Sequence, residues 1–146
     1  MAPLIVLIVV TGISRLLGAL GVAFVDSWSA AVALGLAAMF LMTALTHFRE
    51  PRRAGLVAIV PPRLPGPALI VTATGVLELA GAIGIVLPAT RTLAAICLGL
   101  LLIAKFPANV YAAGAPRHPS APTTPIVRRT VYQLIFLAAC VIVVVG

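Results

Sequence analysis

Three charged residues stand inside apolar runs where charge is costly: Arg15, Glu78 and Lys105. A carboxylate set among cations in such surroundings can do one of two things. It can be neutralised as a structural ion pair, or it can take up a proton or orient a ligand, since perturbed ionisable groups gather at working sites. Lys105 has a third option, because its long stem can carry the ammonium toward a membrane face. These alternatives stay open on sequence. A second group of polar residues, Thr43, Thr46, His47, Asn109 and Tyr111, falls toward the ends of two apolar runs. A His with an Asn, a Tyr and a Lys is a set that could cradle a quinone head group or another small polar ligand. The competing reading makes His47 and Tyr111 simple interfacial anchors.

Two cysteines, Cys97 and Cys140, lie in separate apolar runs at matching depth. Their spacing fits no metal or redox motif, so each reads as an apolar filler, with a thiol pair left open. There is no glycine-rich phosphate loop, no nucleophile elbow and no His/Cys/Asp cluster at metal spacing. His118 lies in a proline-rich stretch with no partner near it in sequence. Chemistry of the soluble-enzyme kind is not expected.

The elements that must position these residues are membrane spans. Hydrophobic residues make up 62% of the 146-residue chain and charged residues 9%, with mean hydropathy +1.22. Water cannot be the main solvent for such a chain. The net charge of +7 does not point to nucleic acid, because the arginines sit between apolar runs instead of on one basic face. The first positive residue, Arg15, falls within the first apolar run, which therefore reads as an uncleaved membrane helix and not a secretory signal.

Five spans of about 20 residues are drawn, at about 3–24, 28–48, 68–87, 93–113 and 127–145. A short interfacial helix is expected over 54–60, with proline-rich loops at 61–67 and 115–125. Small residues four apart, Ala19/Ala23, Ala31/Gly35 and Ala80/Gly84, suit close helix packing. Arg49, Arg52, Arg53, Arg63, Arg117, Arg128 and Arg129 all fall on the N-terminal side of this topology, against Arg91 alone on the other. That bias places the N-terminus and both basic loops in the cytoplasm and the C-terminus outside the plasma membrane. At a helical rise of ~1.5 Å per residue, Arg15 and Glu78 fall level at ~13–14 Å from the outer face. On the same rise Lys105 lies at ~20 Å, and His47 and Asn109 at ~27 Å.

Four strings bear a further likeness. They are Leu41–Phe48, ending in Thr-His-Phe; Val60-Pro-Pro-Arg-Leu-Pro-Gly-Pro67; Thr74-Gly-Val-Leu-Glu-Leu-Ala-Gly-Ala-Ile-Gly-Ile-Val-Leu-Pro88; and Phe106-Pro-Ala-Asn-Val-Tyr111. In this order they resemble the DoxX-like family of small integral membrane proteins, across about residues 36–113. Ala44 stands where that family has a glycine. The resemblance implies an all-α bundle, a four-helix core with an extra N-terminal transmembrane helix, and recurrent polar residues at His47, Glu78 and Asn109. DoxX-like proteins are similar to a subunit of thiosulfate:quinone oxidoreductase, and some are linked to membrane assemblies handling oxidative or thiol stress. The expectation is thus a membrane subunit or anchor of a redox-linked assembly, with quinone as the cofactor in view. A carrier or permease built on Glu78 and Lys105 is the alternative, and a stand-alone quinone-linked enzyme a further one. The expected partners are the lipid bilayer and proteins of such an assembly, with a homo-oligomer left open.

Overall fold

A computed structural model describes residues 2–146, and all regular structure in it is helical. Helix α1 covers Ala2–Ala19, α2 Trp28–Thr46, α3 Arg52–Ala58, α4 Pro67–Val86, α5 Arg91–Gly114 and α6 Ile126–Val145. All but α3 are long and apolar enough to cross a membrane. The protein is a helical membrane bundle.

Four helices make the core. α2 packs on α4, α4 on α5, α5 on α6, and α6 closes the ring against α2. Each runs antiparallel to the next because successive spans cross in alternate directions. The additional helix α1 lies outside this ring, against α2. Gly35 permits that approach, since a Cβ there would overlap the Thr11 hydroxyl and lie 2.8 Å from the Leu7 carbonyl. Gly84 does the same for α5, facing the Ala94 methyl. Ala19 and Ala23, by contrast, do not share a helix.

The first span is shorter than the apolar run that encodes it. The chain leaves α1 at Gly21, with φ of 100°. Val22 N–H bonds the Leu17 carbonyl at 3.1 Å and Gly21 N–H the Gly18 carbonyl at 3.0 Å. That pair of bonds is a Schellman stop, and glycine takes its left-handed residue without Cβ strain. A 3-10 turn, Ala23–Val25, then leads to α2, whose first turn is capped by Ser27 Oγ accepting from Ala30 N–H at 3.1 Å. The short helix starts two residues before its sequence-based position, with the Glu50 carboxylate accepting from Ala54 N–H at 3.1 Å. Pro107 is accommodated inside α5, where it removes the N–H that would bond the Ile103 carbonyl.

The two ends of the ring are built differently. At the end holding Arg91 the helices close on a packed core that includes Leu36, Ile85, Ala95 and Leu98, all at most 1% exposed. At the end carrying the arginine-rich loops, here the basic end, a second cluster of Ile59, Ala112 and Ala121 joins α3 to the 115–125 loop. Gly55 makes that contact close, as a Cβ there would overlap the Ser120 carbonyl. α3 and the loop thus form a cap across the basic end.

Candidate functional site

Between the packed core and this cap the ring encloses a cavity of about 540 Å³. Most of its wall is apolar, with Phe40, Ile70, Leu102 and Phe136 among the lining side chains. Its polar lining comes from one face of each core helix: Thr43, Thr46 and His47 from α2 and its end, Glu78 from α4, Lys105 and Asn109 from α5, Arg129 and Gln133 from α6. Residues 105 and 109, like 129 and 133, are four apart and so stack on one helix face.

These polar groups form two centres. In the first, Glu78 is 1% exposed and takes a bond on each oxygen. Lys105 Nζ donates to Oε1, and Thr43 Oγ1 donates to Oε2 at 2.8 Å. Thr43 Oγ1 also lies 3.1 Å from the Phe40 carbonyl. A hydroxyl has one proton, so the bond to Glu78 leaves the Phe40 carbonyl as its alternative acceptor. His47, 4% exposed, places Nδ1 3.0 Å from the Thr43 carbonyl and 3.8 Å from Glu78 Oε2. A carbonyl only accepts, so the shorter contact puts the proton on Nδ1 and leaves Nε2 as the ring's acceptor. Gly75 makes room for the end of α2 that carries this residue, because a Cβ there would stand 2.6 Å from His47 Cβ and 3.0 Å from the Phe48 ring. Arg53 locks the backbone beneath it, donating to the His47 carbonyl at 2.7 Å and to Thr72 Oγ1 at 3.0 Å.

The second centre is cationic. Arg129 is 8% exposed and donates through Nη1 to Asn109 Oδ1 at 3.0 Å and through Nε to the Thr124 carbonyl at 2.7 Å. Its Nη2 donates to the Pro122 carbonyl. All three acceptors are neutral. Asn109 therefore turns its amide oxygen to the guanidinium and keeps its NH₂ donors for other partners. Buried Gln133 sits one turn along α6.

Not every residue singled out by type and depth joins the cavity. Arg15 is one turn from the end of α1 and donates to the Val25 carbonyl at 3.3 Å and to the Asp26 carbonyl. Its guanidinium lies 5.1 Å from the Trp28 ring. The depth comparison with Glu78 fails because α1 ends at Ala19, so Arg15 sits near the helix end and reaches outward. Tyr111 is outside the cavity lining, with the Arg117 guanidinium 3.9 Å from its ring. That stacked pair suits an interfacial anchor. Cys97 and Cys140 are free thiols, the first exposed and the second buried. Cys140 faces Gly99, and residue 97 lies about 200° away from 99 around the helix, so the thiols do not meet. His118 accepts from Ser120 N–H at 3.1 Å and shapes the loop turn.

Arg53, Gly75, Arg129 and Gln133 belong to the site although sequence reasoning assigned them none of it. The arginines read as loop charges. The available signal was Gln133, a polar residue one turn from Arg129 inside an otherwise apolar span.

The chain belongs to a family described as a domain of unknown function (DUF8561). The match covers residues 36–144, which takes in the cavity's polar lining and leaves out α1 with its two lining residues, Pro3 and Leu4. No curated protein and no solved structure matches the chain.

Proposed function

We propose that this protein is a membrane subunit of a redox-linked assembly that holds a quinone-type head group in its basic-end cavity. The observation that carries the reading is the juxtaposition of Glu78, Thr43, His47 and Lys105 with an apolar chamber. A quinone oxygen needs donors, and Lys105, Asn109 and Arg129 supply them. The reduced form needs acceptors for its hydroxyl protons, and Glu78 and His47 Nε2 supply those. The apolar wall suits the ring and the start of a tail.

The likeness to DoxX-like proteins supports the same reading. The basic end faces the cytoplasm of a plasma membrane in this proposal, on the weight of its seven arginines. A carrier needs a path to the opposite face, and the Leu36/Ile85/Leu98 layer fills that end.

Native mass spectrometry of the protein extracted gently from its own membranes tests the proposal. The expected spectrum contains a stoichiometric protein partner and a quinone-sized adduct that is lost in His47→Ala. A chain that always runs alone, and takes up no added quinone, would sink it.

A further inference from the structure

The cavity has an unbalanced charge. The whole chain holds only three acidic residues, and two of them are elsewhere. Asp26 is exposed at the entry to α2, and Glu50 caps α3. Among the described residues, Glu78 is the one carboxylate in the lining, against two cations, Lys105 and Arg129. Lys105 is bonded to Glu78, which leaves Arg129 as a buried cation whose protein acceptors are all neutral. Arginine stays protonated under any physiological condition, so it cannot shed this charge. An unpaired charge in apolar surroundings is costly until an opposite charge arrives.

We propose that the cavity recognises a ligand with one oxyanion on an apolar body, and that the Arg129–Asn109 corner is the oxyanion subsite. This rests on the reading of the cavity as a ligand site and adds the charge of the head group. Three features select a single negative charge. The net excess of the lining is one positive charge. Arg129 has five N–H groups and three of its bonds go to the protein, so two remain. Asn109 presents its NH₂ beside them, because its oxygen is already taken. The Glu78 centre belongs to α4 and the Arg129 centre to α6, on opposite corners of the ring. A dianion would therefore bring its second charge toward the carboxylate, which disfavours it.

Two sources supply this chemistry: an alkyl carboxylate from the bilayer, or a quinone carrying an acidic ring hydroxyl. Binding to the full chain in nanodiscs at neutral pH separates them. The probes are dodecanoic acid against dodecan-1-ol, and a 2-hydroxy-3-alkyl-1,4-naphthoquinone against its 2-methoxy ether. Charge-assisted hydrogen bonds outweigh neutral ones by enough for at least about tenfold tighter binding of the acid in one pair or both. Arg129→Gln removes that preference. Because Arg129 also ties down the 122–124 backbone, Glu78→Gln is the second variant. It frees Lys105 and deletes the lone negative charge, and the preference for the acid then grows. Equal affinity of acid and neutral partner in both pairs, or a preference that shrinks in Glu78→Gln, overturns the inference. Equal binding of the two naphthoquinones leaves the quinone reading intact. Failure of both naphthoquinones, with dodecanoic acid preferred, removes the quinone reading and keeps the oxyanion subsite.

Discussion

The two ends of this helix ring are made from similar apolar sequence and reach opposite outcomes. At the Arg91 end, Leu36, Ile85, Ala95 and Leu98 close the interior. Gly81 lets Leu98 lie directly against α4, where a Cβ would overlap its side chain. At the basic end the same four helices stand around a chamber, and the polar residues that line it hold one another. The packed end gains stability from close contact, which is the main force available between helices in lipid. The open end forgoes that contact and keeps its shape through fixed hydrogen bonds, with α3 and the 115–125 loop as a cap. A site with room for a ligand is thus carried by a half of the bundle built to resist collapse.

Truncating the packed layer should show the difference most strongly. Ile85→Ala is expected to destabilise the fold by about 2–5 kcal/mol, the usual cost of emptying a buried aliphatic position. Ile70→Ala, in the cavity wall, should cost far less because it enlarges a space already present. Reversible denaturation in mixed micelles gives both values, and equal losses would erase the contrast.

Breaking the polar centre comes next. Removing one partner of a buried pair costs about 3–5 kcal/mol when the other is left stranded. Glu78→Gln should fall below that range, since Lys105 is 29% exposed and can turn toward water. Glu78→Gln with Lys105→Met should recover most of the loss. A double variant no more stable than the single one would mean that the pair does not act as a unit.

Crowding His47 should cost less stability than emptying the packed layer. Gly75→Ala adds a methyl where His47 Cβ stands 2.6 Å away, an overpacking cost of about 1–3 kcal/mol. Affinity for the proposed quinone should fall even so, because the end of α2 that carries His47 must shift. The corresponding change at the packed end, Gly84→Ala, meets the Ala94 methyl at 3.2 Å and the Thr90 hydroxyl at 3.7 Å and should leave affinity for the proposed ligand unchanged. The same affinity loss from both would show that the two ends are not independent.

The family match adds a boundary to this comparison. Residues 36–144 include both ends of the ring, while α1 lies outside the matched span and outside the ring. The polar centres of the site belong to the ring, while α1 adds only Pro3 and Leu4 to the cavity wall.

The apolar runs by themselves determined the solvent, the number of long helices and most of their ends. Hydrophobic length and proline or glycine punctuation are local properties, and each span can be read without knowing its neighbours. The sequence also singled out Glu78 as a carboxylate with Arg15 and Lys105 as candidate partners, because charges inside apolar spans have few places to go. The apolar residues after Gly21 carry the run on to about residue 24, past the end of α1 at Ala19, and the expected depth of Arg15 shifts with it. Only the tertiary structure decided which polar residues face each other. It separated Arg15 and Tyr111 from the cavity and turned Cys97 away from Cys140. It brought Arg129 inward to Asn109, because rotation about a helix axis and the order of helices around the ring are set by packing between segments. A stretch of chain carries its own periodicity, but not the identity of the surface it will meet.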